Sequence, residues 1–338
     1  MLKPLRLAVV GATGIVGHEL LKVLEDKELP PLEIIALGSN KALGSTVNFQ
    51  EEELDVLALD GFDFTGVRLA FFCVPPDVSK QYVPKAQAAG CIVLDLSAAF
   101  RLEPNVPLCL PEINAEVLSL QQGLICQPNA VSIASALVLE PILDAVGLKS
   151  VGLTALISVS HAGRSGVREL EQQVGDLLNM REISCATFPE QIAFNLLPYV
   201  GAFLPDDCTD LEAATVQELY KILDEDTFTM SVSALQVPIF YGHSLTLYVE
   251  TEKKLTAKNC RALLVAAPGI SVLDNPDLGS FPSTLEAVGL DTVVVGRIRE
   301  IAGVNGLNLV VSFDNLRKGA AVNAVQIFKE LLTLQVFA

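Results

Sequence analysis

Apolar positions follow one rhythm in about the first 150 residues of the chain and another in the remainder. Leu5–Val10 is an apolar run of the kind expected for a strand covered on both faces. Behind it, Ile15, Val16, Leu20, Leu21, Val23 and Leu24 recur at helical spacing and predict a helix over Ile15–Glu25. Ile34–Leu37, Leu69–Cys73 and Cys91–Leu94 read as further buried strands, Val78–Ala89 as a crossover helix, and Leu124–Cys126 as the end of a short strand. Gln127-Pro128-Asn129 then turns into a long apolar helix, about Val131–Val146. Strands that alternate with helices predict a parallel, doubly wound sheet.

The later rhythm is β-rich. Long runs lie at Val151–Ser160, Phe228–Phe240 and Ser244–Glu252, the last two joined by Tyr241-Gly242-His243. Alternation in Thr246–Glu250 implies one wet face and hence an antiparallel sheet. Helical patterns fall near Gly166–Asn179, Ala213–Leu223 and Ala257–Ala267, with two more strands at Val293–Arg299 and Leu307–Phe313. Leu316–Leu334 reads as one long amphipathic helix that closes the chain. No internal repeat stands out, and Pro205–Asp210 is expected to be a surface loop.

Composition narrows the class further. Of 338 residues, 51% are hydrophobic and 19% charged, enough for sizeable cores and too apolar for long disordered segments. The net charge of −17 repels phosphate backbones and anionic lipid, so nucleic-acid and membrane-surface roles are excluded. The first apolar run meets Gly11 too early for a secretion signal, and no stretch approaches ~18 uninterrupted apolar residues. Seven scattered cysteines, mostly inside apolar runs and without a CxxC pair, read as reduced core residues, and three histidines (His18, His161, His243) are too few for a histidine-built metal site. The chain is therefore expected to be an acidic α/β protein of the cytoplasm that holds no metal.

Candidate chemistry begins at the first turn. Gly11-Ala12-Thr13-Gly14-Ile15-Val16-Gly17 lies between the first strand and the first helix, where a dinucleotide fold places its phosphate loop. Gly11 permits the tight turn, Gly14 the close approach of a pyrophosphate, and Gly17 the packing of helix on strand. Thr13, Ile15 and Val16 complete the cradle, and the helix N-terminus offers free N–H groups. An NAD-preferring site wants an acid at the end of the second strand. Here Gly38-Ser39-Asn40-Lys41 follows that strand, so Ser39 and Lys41 favour a 2′-phosphate and any cofactor is expected to be NADP. The same glycines also suffice to build the turn in a protein that binds no nucleotide.

Several segments together resemble the aspartate-semialdehyde dehydrogenase family. They are Gly11–Gly17, Ser97-Ala98-Ala99-Phe100-Arg101, Leu110-Pro111-Glu112-Ile113-Asn114, Pro128-Asn129, Phe188–Asn195, Val237–Ser244, Gly296-Arg297-Ile298-Arg299-Glu300 and Asp314–Ala321, in family order along the whole chain. The resemblance implies a Rossmann-like domain over 1–130 and 315–338, made discontinuous by the returning last helix. It implies a substrate and dimerisation domain over 131–314, and a homodimer. It also marks Arg101 as a phosphate contact, Gln326 as a residue of the cofactor-facing helix, and His243 as the acid/base.

The family's reaction needs a cysteine thiolate directly after the Pro-Asn pair, at a helix start that lowers its pKa. In this sequence that position is Ala130, and a methyl group is no nucleophile. The orienting glutamine aligns with Ile157, the substrate-carboxylate arginine with Gln236, an asparagine near the nicotinamide with Leu96, and more loosely a phosphate lysine with Ala214. Cys73-Val74-Pro75-Pro76 replaces a Ser-Ala-Gly-Gly turn, removing N–H donors. Cys126, four residues before Ala130, is up to about 13 Å away along extended chain, and Ser132 lies on another face of the helix.

The resemblance thus points to a cysteine-lacking relative, like the family's Usg-like proteins: a dimeric binding or scaffold protein with an unidentified protein or small-molecule ligand. The other reading is an NADP-dependent oxidoreductase acting on the aldehyde or oxo group of a different substrate, with His243 as acid/base. A weaker one is an active family enzyme with Cys126 or Ser132 as nucleophile. His243 also fits a turn between two strands, and His161, where the family has glycine, is either a replacement acid/base or incidental.

Overall fold

A computed structural model describes residues 4–25 and 28–337. The chain forms two compact units, Met1–Asn129 with Ala320–Ala338, and Ala130–Gly319.

In the first unit, β1 (Leu5–Val10), α1 (Ile15–Leu24) and β2 (Leu32–Gly38) open a Rossmann-like sheet. A hairpin of β3 (Thr46–Phe49) and β4 (Glu52–Asp55) follows, its tip formed by Gln50 and Glu51, both at positive φ. Then come β5 (Leu57–Ala58), β6 (Leu69–Phe72), α2 (Pro76–Ala88), β7 (Ile92–Asp95), α3 (Pro111–Asn114) and β8 (Leu124–Cys126). The six sheet strands run in the order β5-β2-β1-β6-β7-β8, all parallel. Residues of β1 divide by parity. Leu7 and Val9 join one apolar cluster with α1 and the C-terminal segment, while Ala8 and Val10 join another with Val83 and Ala86 of α2. Burial on both faces is why the strand reads as a continuous apolar run. Because β1 lies between β2 and β6, the chain departs to opposite sides at its C-terminal end, leaving the crevice where such sheets bind ligands.

The second unit starts with α4 (Ala130–Val146) and β9 (Leu148–Ile157), then α5 (Gly163–Leu178), α6 (Asp210–Leu223), β10 (Thr229–Gln236) and β11 (His243–Thr251). It ends with α7 (Ala257–Ala266), β12 (Ile270–Val272), α8 (Thr284–Ala287), β13 (Val293–Glu300) and β14 (Gly306–Phe313). The sheet order is β10-β9-β11-β14-β13-β12. β11, which carries Thr246–Glu250, is antiparallel to both neighbours, β9 and β14, as expected, but the sheet as a whole is mixed: β9 pairs in parallel with β10, and β12 with β13. The runs on either side of Tyr241-Gly242 are not sheet neighbours, because β9 lies between β10 and β11. Alternation reports a wet face and not strand direction, and the two helices between β9 and β10 allow the parallel return. On the wet face Gly152, Thr154, Ser233, Thr246, Tyr248 and Arg299 border a shallow cleft of about 280 Å³. The other face packs on α4, whose residues Val131–Leu139 are buried without a break.

The closing helix differs from expectation at its start. Arg317–Ala321 forms a π-helical turn, and α9 proper is Val322–Thr333. Ala321, Ala324, Val325, Ile327, Phe328 and Leu331 enter the same cluster as Leu7, Leu20 and Leu24, so α9 belongs to the first unit. Among the described residues no helix is long and apolar enough to cross a membrane.

Candidate functional site

In the first unit the glycine turn has the geometry of a phosphate loop. Gly11 sits at φ +87°, and a Cβ there would fall 2.3 Å from the Cys73 carbonyl oxygen. A Cβ on Gly17 would fall 2.2 Å from the Gly11 oxygen, so the helix packs on the turn only because both residues lack one. Gly14 caps α1 with no side-chain bond and no acid in the first turn, and Thr13, Ile15 and Val16 are half-buried around it. Ser39 caps a short turn, Asn40–Ala42, at the end of the adjacent β2, and Lys41 is exposed there. Beyond β6, Pro76 is the first residue of α2, and the Pro75 carbonyl accepts from the Val78 and Ser79 N–H groups.

Farther along the same unit, Asp95 is fully buried at the end of β7. It accepts from Ser79 Oγ (2.8 Å), Ser97 Oγ (2.8 Å) and the Ser97 N–H (3.1 Å). Burial raises its carboxyl pKa, while the bonds from Ser97 and Ser79 and the charge of Arg101 pull the other way. Arg101 Nη2 donates to the Leu96 carbonyl at 2.7 Å, and Gln326 Nε2 donates to Glu112 Oε1 at 2.8 Å.

In the second unit Ala130 is the first residue of α4, half-buried, and packed so closely on Gly319 that a Cβ on that glycine would come within 2.8 Å of its own. Ile157 ends β9 fully buried, paired in register with Gln236 at the end of β10. The Gln236 amide is turned onto its own sheet, Nε2 donating to the Ile157 carbonyl at 2.7 Å. Ser132 is buried inside α4, Cys126 is buried in β8, and Ala214 is half-buried on α6.

His243 opens β11 directly after Gly242, which sits at φ +82°. It is 1% exposed. The Ser158 N–H lies 3.2 Å from its Nδ1 and the Ser158 Oγ 3.1 Å. Ser158 Oγ is 2.8 Å from Ser160 Oγ, and Asn315 joins both segments by donating from Nδ2 to Ser160 Oγ (3.1 Å) and accepting the Gly242 N–H on Oδ1 (3.0 Å). His161 is exposed on a short turn, its ring centroid 6.2 Å from that of His243. Burial, and next the charge of His161, push the His243 pKa down to about 3, against a weaker opposing pull from the Gly242 carbonyl. Sequence reasoning singled out both histidines and missed Ser158, Ser160 and Asn315.

A parallel-sheet unit with a dinucleotide turn and a second unit built on a broad mixed sheet define a two-domain dehydrogenase fold. Residues 6–121 match the semialdehyde dehydrogenase NAD-binding domain, and residues 139–318 the semialdehyde dehydrogenase dimerisation domain. The chain belongs to the aspartate-semialdehyde dehydrogenase family. It is 44% identical to an aspartate-semialdehyde dehydrogenase of Legionella pneumophila, over 97% of this chain and 95% of that one. The crystal structure of aspartate semialdehyde dehydrogenase II from Vibrio cholerae is similar with a TM-score of 0.94 at 36% identity, covering 98% of this chain and 99% of the other. An aspartate semialdehyde dehydrogenase from Candida albicans crystallised with NADP shares the fold, with a TM-score of 0.75 at 20% identity over 99% of this chain and 100% of that one.

Proposed function

We propose that this family member is a homodimer that does not run the phosphorylating dehydrogenase reaction: a cysteine-lacking relative of the Usg-like kind, serving as a binding or scaffold protein. The observation that carries the reading is Ala130, which stands first in α4 immediately after Pro128-Asn129, where the family's thiolate is expected. Two further positions support it. Gln236 spends its amide on the Ile157 carbonyl and offers no cation to a carboxylate, and Ile157 is an apolar residue sealed in the sheet. Neither alternative nucleophile gains support, since Ser132 and Cys126 are both fully buried. The wet face of the mixed sheet, with its cleft beside Thr154, Thr246 and Tyr248, is the surface we assign to the second copy.

The second reading, an NADP-dependent oxidoreductase for a different aldehyde or oxo substrate, is favoured by the glycine turn. Gly11, Gly14 and Gly17 keep the shape that lets a pyrophosphate approach, and Ser39 and Lys41 stand where a 2′-phosphate would lie. The two part on one experiment. Calorimetric titration with NADPH, together with phosphate-dependent NADP+ reduction by aspartate semialdehyde, is expected to give no turnover. Micromolar binding, about −8 kcal/mol, would move the reading to the oxidoreductase, and turnover in the unmodified protein would end the first reading outright.

A further inference from the structure

Behind His243 lies a buried polar chain of Ser158, Ser160 and Asn315. A backbone N–H can only donate, so the Ser158 N–H at 3.2 Å requires a lone pair on His243 Nδ1. The orientation of the Asn315 amide is fixed in the same way, because the Gly242 N–H must donate to its Oδ1. That leaves Asn315 Nδ2 to donate to Ser160 Oγ. Ser160 Oγ lies 2.8 Å from Ser158 Oγ and 3.2 Å from Asn315 Oδ1 and can donate to either, and Ser158 Oγ lies 3.1 Å from Nδ1. The backbone N–H is the link whose direction is fixed, and hydroxyls aligned with it strengthen it. Placing a second proton on Nδ1 would set it against the Ser158 N–H, with Ser158, Ser160 and His243 all buried.

We propose that His243 acts as a fixed, neutral hydrogen-bond donor through Nε2–H, and that Asn315 is the positioning residue that holds it in that state. Its one donor is then Nε2–H, and it does not cycle through an imidazolium. A neutral imidazole donor of this kind polarises an oxygen without exchanging a proton with it. This rests on the reading proposed above, in which the protein does not run the family's reaction. Among the described residues the charged group acting on the ring is His161, and Ser158, Ser160, Asn315 and Phe313 around it are neutral. The lowered pKa of His243, caused first by burial, agrees with the geometry.

The test is ring-nitrogen NMR on the full chain labelled at histidine, which has only three histidines to resolve. The signals of His243 are identified by their loss in His243→Gln, or by elimination with His161→Gln and His18→Gln if that variant does not fold. The expected pattern is a protonated Nε2 and an unprotonated Nδ1, unchanged between about pH 5.5 and 8.5, the span an ordinary histidine crosses. Asn315→Asp keeps an acceptor for the Gly242 N–H and removes the donor to Ser160, so His243 is expected to begin titrating in that span. A titrating His243 or a proton on Nδ1 in the unmodified protein overturns the proposal. An unchanged His243 in Asn315→Asp overturns the role of Asn315.

Discussion

On the proposed reading, a thiol introduced at position 130 is not expected to confer the family's turnover. Ala130→Cys places sulfur at the first residue of α4, where the helix N-terminus favours a thiolate. On the same reading two further positions, Ile157 and Gln236, also lack the family's groups. Ile157 supplies no amide to orient the intermediate, and the Gln236 amide is tied to the Ile157 carbonyl 2.7 Å away. A hydrogen bond to a charged or developing charged group contributes about 1.5–3 kcal/mol, so the missing pair accounts for about 3–6 kcal/mol of transition-state stabilisation. At about 1.4 kcal/mol per tenfold, Ala130→Cys is expected to fall two to four orders of magnitude in kcat/KM below a complete member of the family. Adding Ile157→Gln and Gln236→Arg to it should recover part of that gap. The assay is phosphate-dependent reduction of NADP+ with aspartate semialdehyde, followed by nicotinamide absorbance, with folding of each variant checked by circular dichroism. Full turnover by the single variant would refute the account of a site dismantled at several positions.

Two stability predictions follow from buried or paired carboxylates. Glu169 of α5 accepts the N–H groups of Ala186 (3.0 Å), Thr187 and Phe188 (3.3 Å), and its neighbour Gln173 accepts those of Ile192 and Ala193. Glu169→Ala is expected to cost about 1–3 kcal/mol, the cost of one unsatisfied buried donor, since the orphaned Phe188 N–H is buried while Ala186 and Thr187 are exposed. Urea unfolding would read this as a lowered midpoint, with faster proteolysis over 184–193, and a midpoint unmoved would sink the idea. The Glu140 carboxyl is pushed up by partial burial and by Asp144 one helical turn on. Its ionised form is therefore disfavoured in the folded state, and stability declines as pH rises through and beyond the ordinary glutamate range. Glu140→Gln should remove that decline and add roughly 0.3 kcal/mol at neutral pH, the scale of a like-charge pair at this spacing. Equal pH slopes for the two proteins in thermal melts would contradict it.

The first unit was legible because burial on both faces writes itself into the sequence. β1 and β8 fall on Leu5–Val10 and Leu124–Cys126 as read, and α1 stops one residue short of its expected end. The glycine turn was equally plain, since Gly11 and Gly17 each stand where a Cβ would strike backbone. In the second unit β11 is antiparallel on both sides, as its alternation was read, but the parallel pairs β9–β10 and β12–β13 left no such sign. β12, three half-buried residues, is too short to show a period, and the π turn at Arg317–Ala321 leaves no mark in a helical pattern. His243 was found from its motif. Its supporters were not, because Ser158 and Asn315 lie 85 residues before it and 157 residues beyond Ser158. Hydroxyls and amides in a buried chain obey no hydrophobic periodicity.

The returning C-terminal segment sets an order of assembly during synthesis. Leu7, Leu20 and Leu24 emerge from the ribosome well before Ala324, Val325, Phe328 and Leu331, which complete their cluster. Between them come roughly 190 residues of Ala130–Gly319, about 10–40 s of translation at 5–20 residues per second. The unit that is second in sequence can therefore close first, while the first waits with an open apolar side for α9. A nascent chain stalled before residue 320 should accordingly hold a protease-resistant middle and a vulnerable beginning.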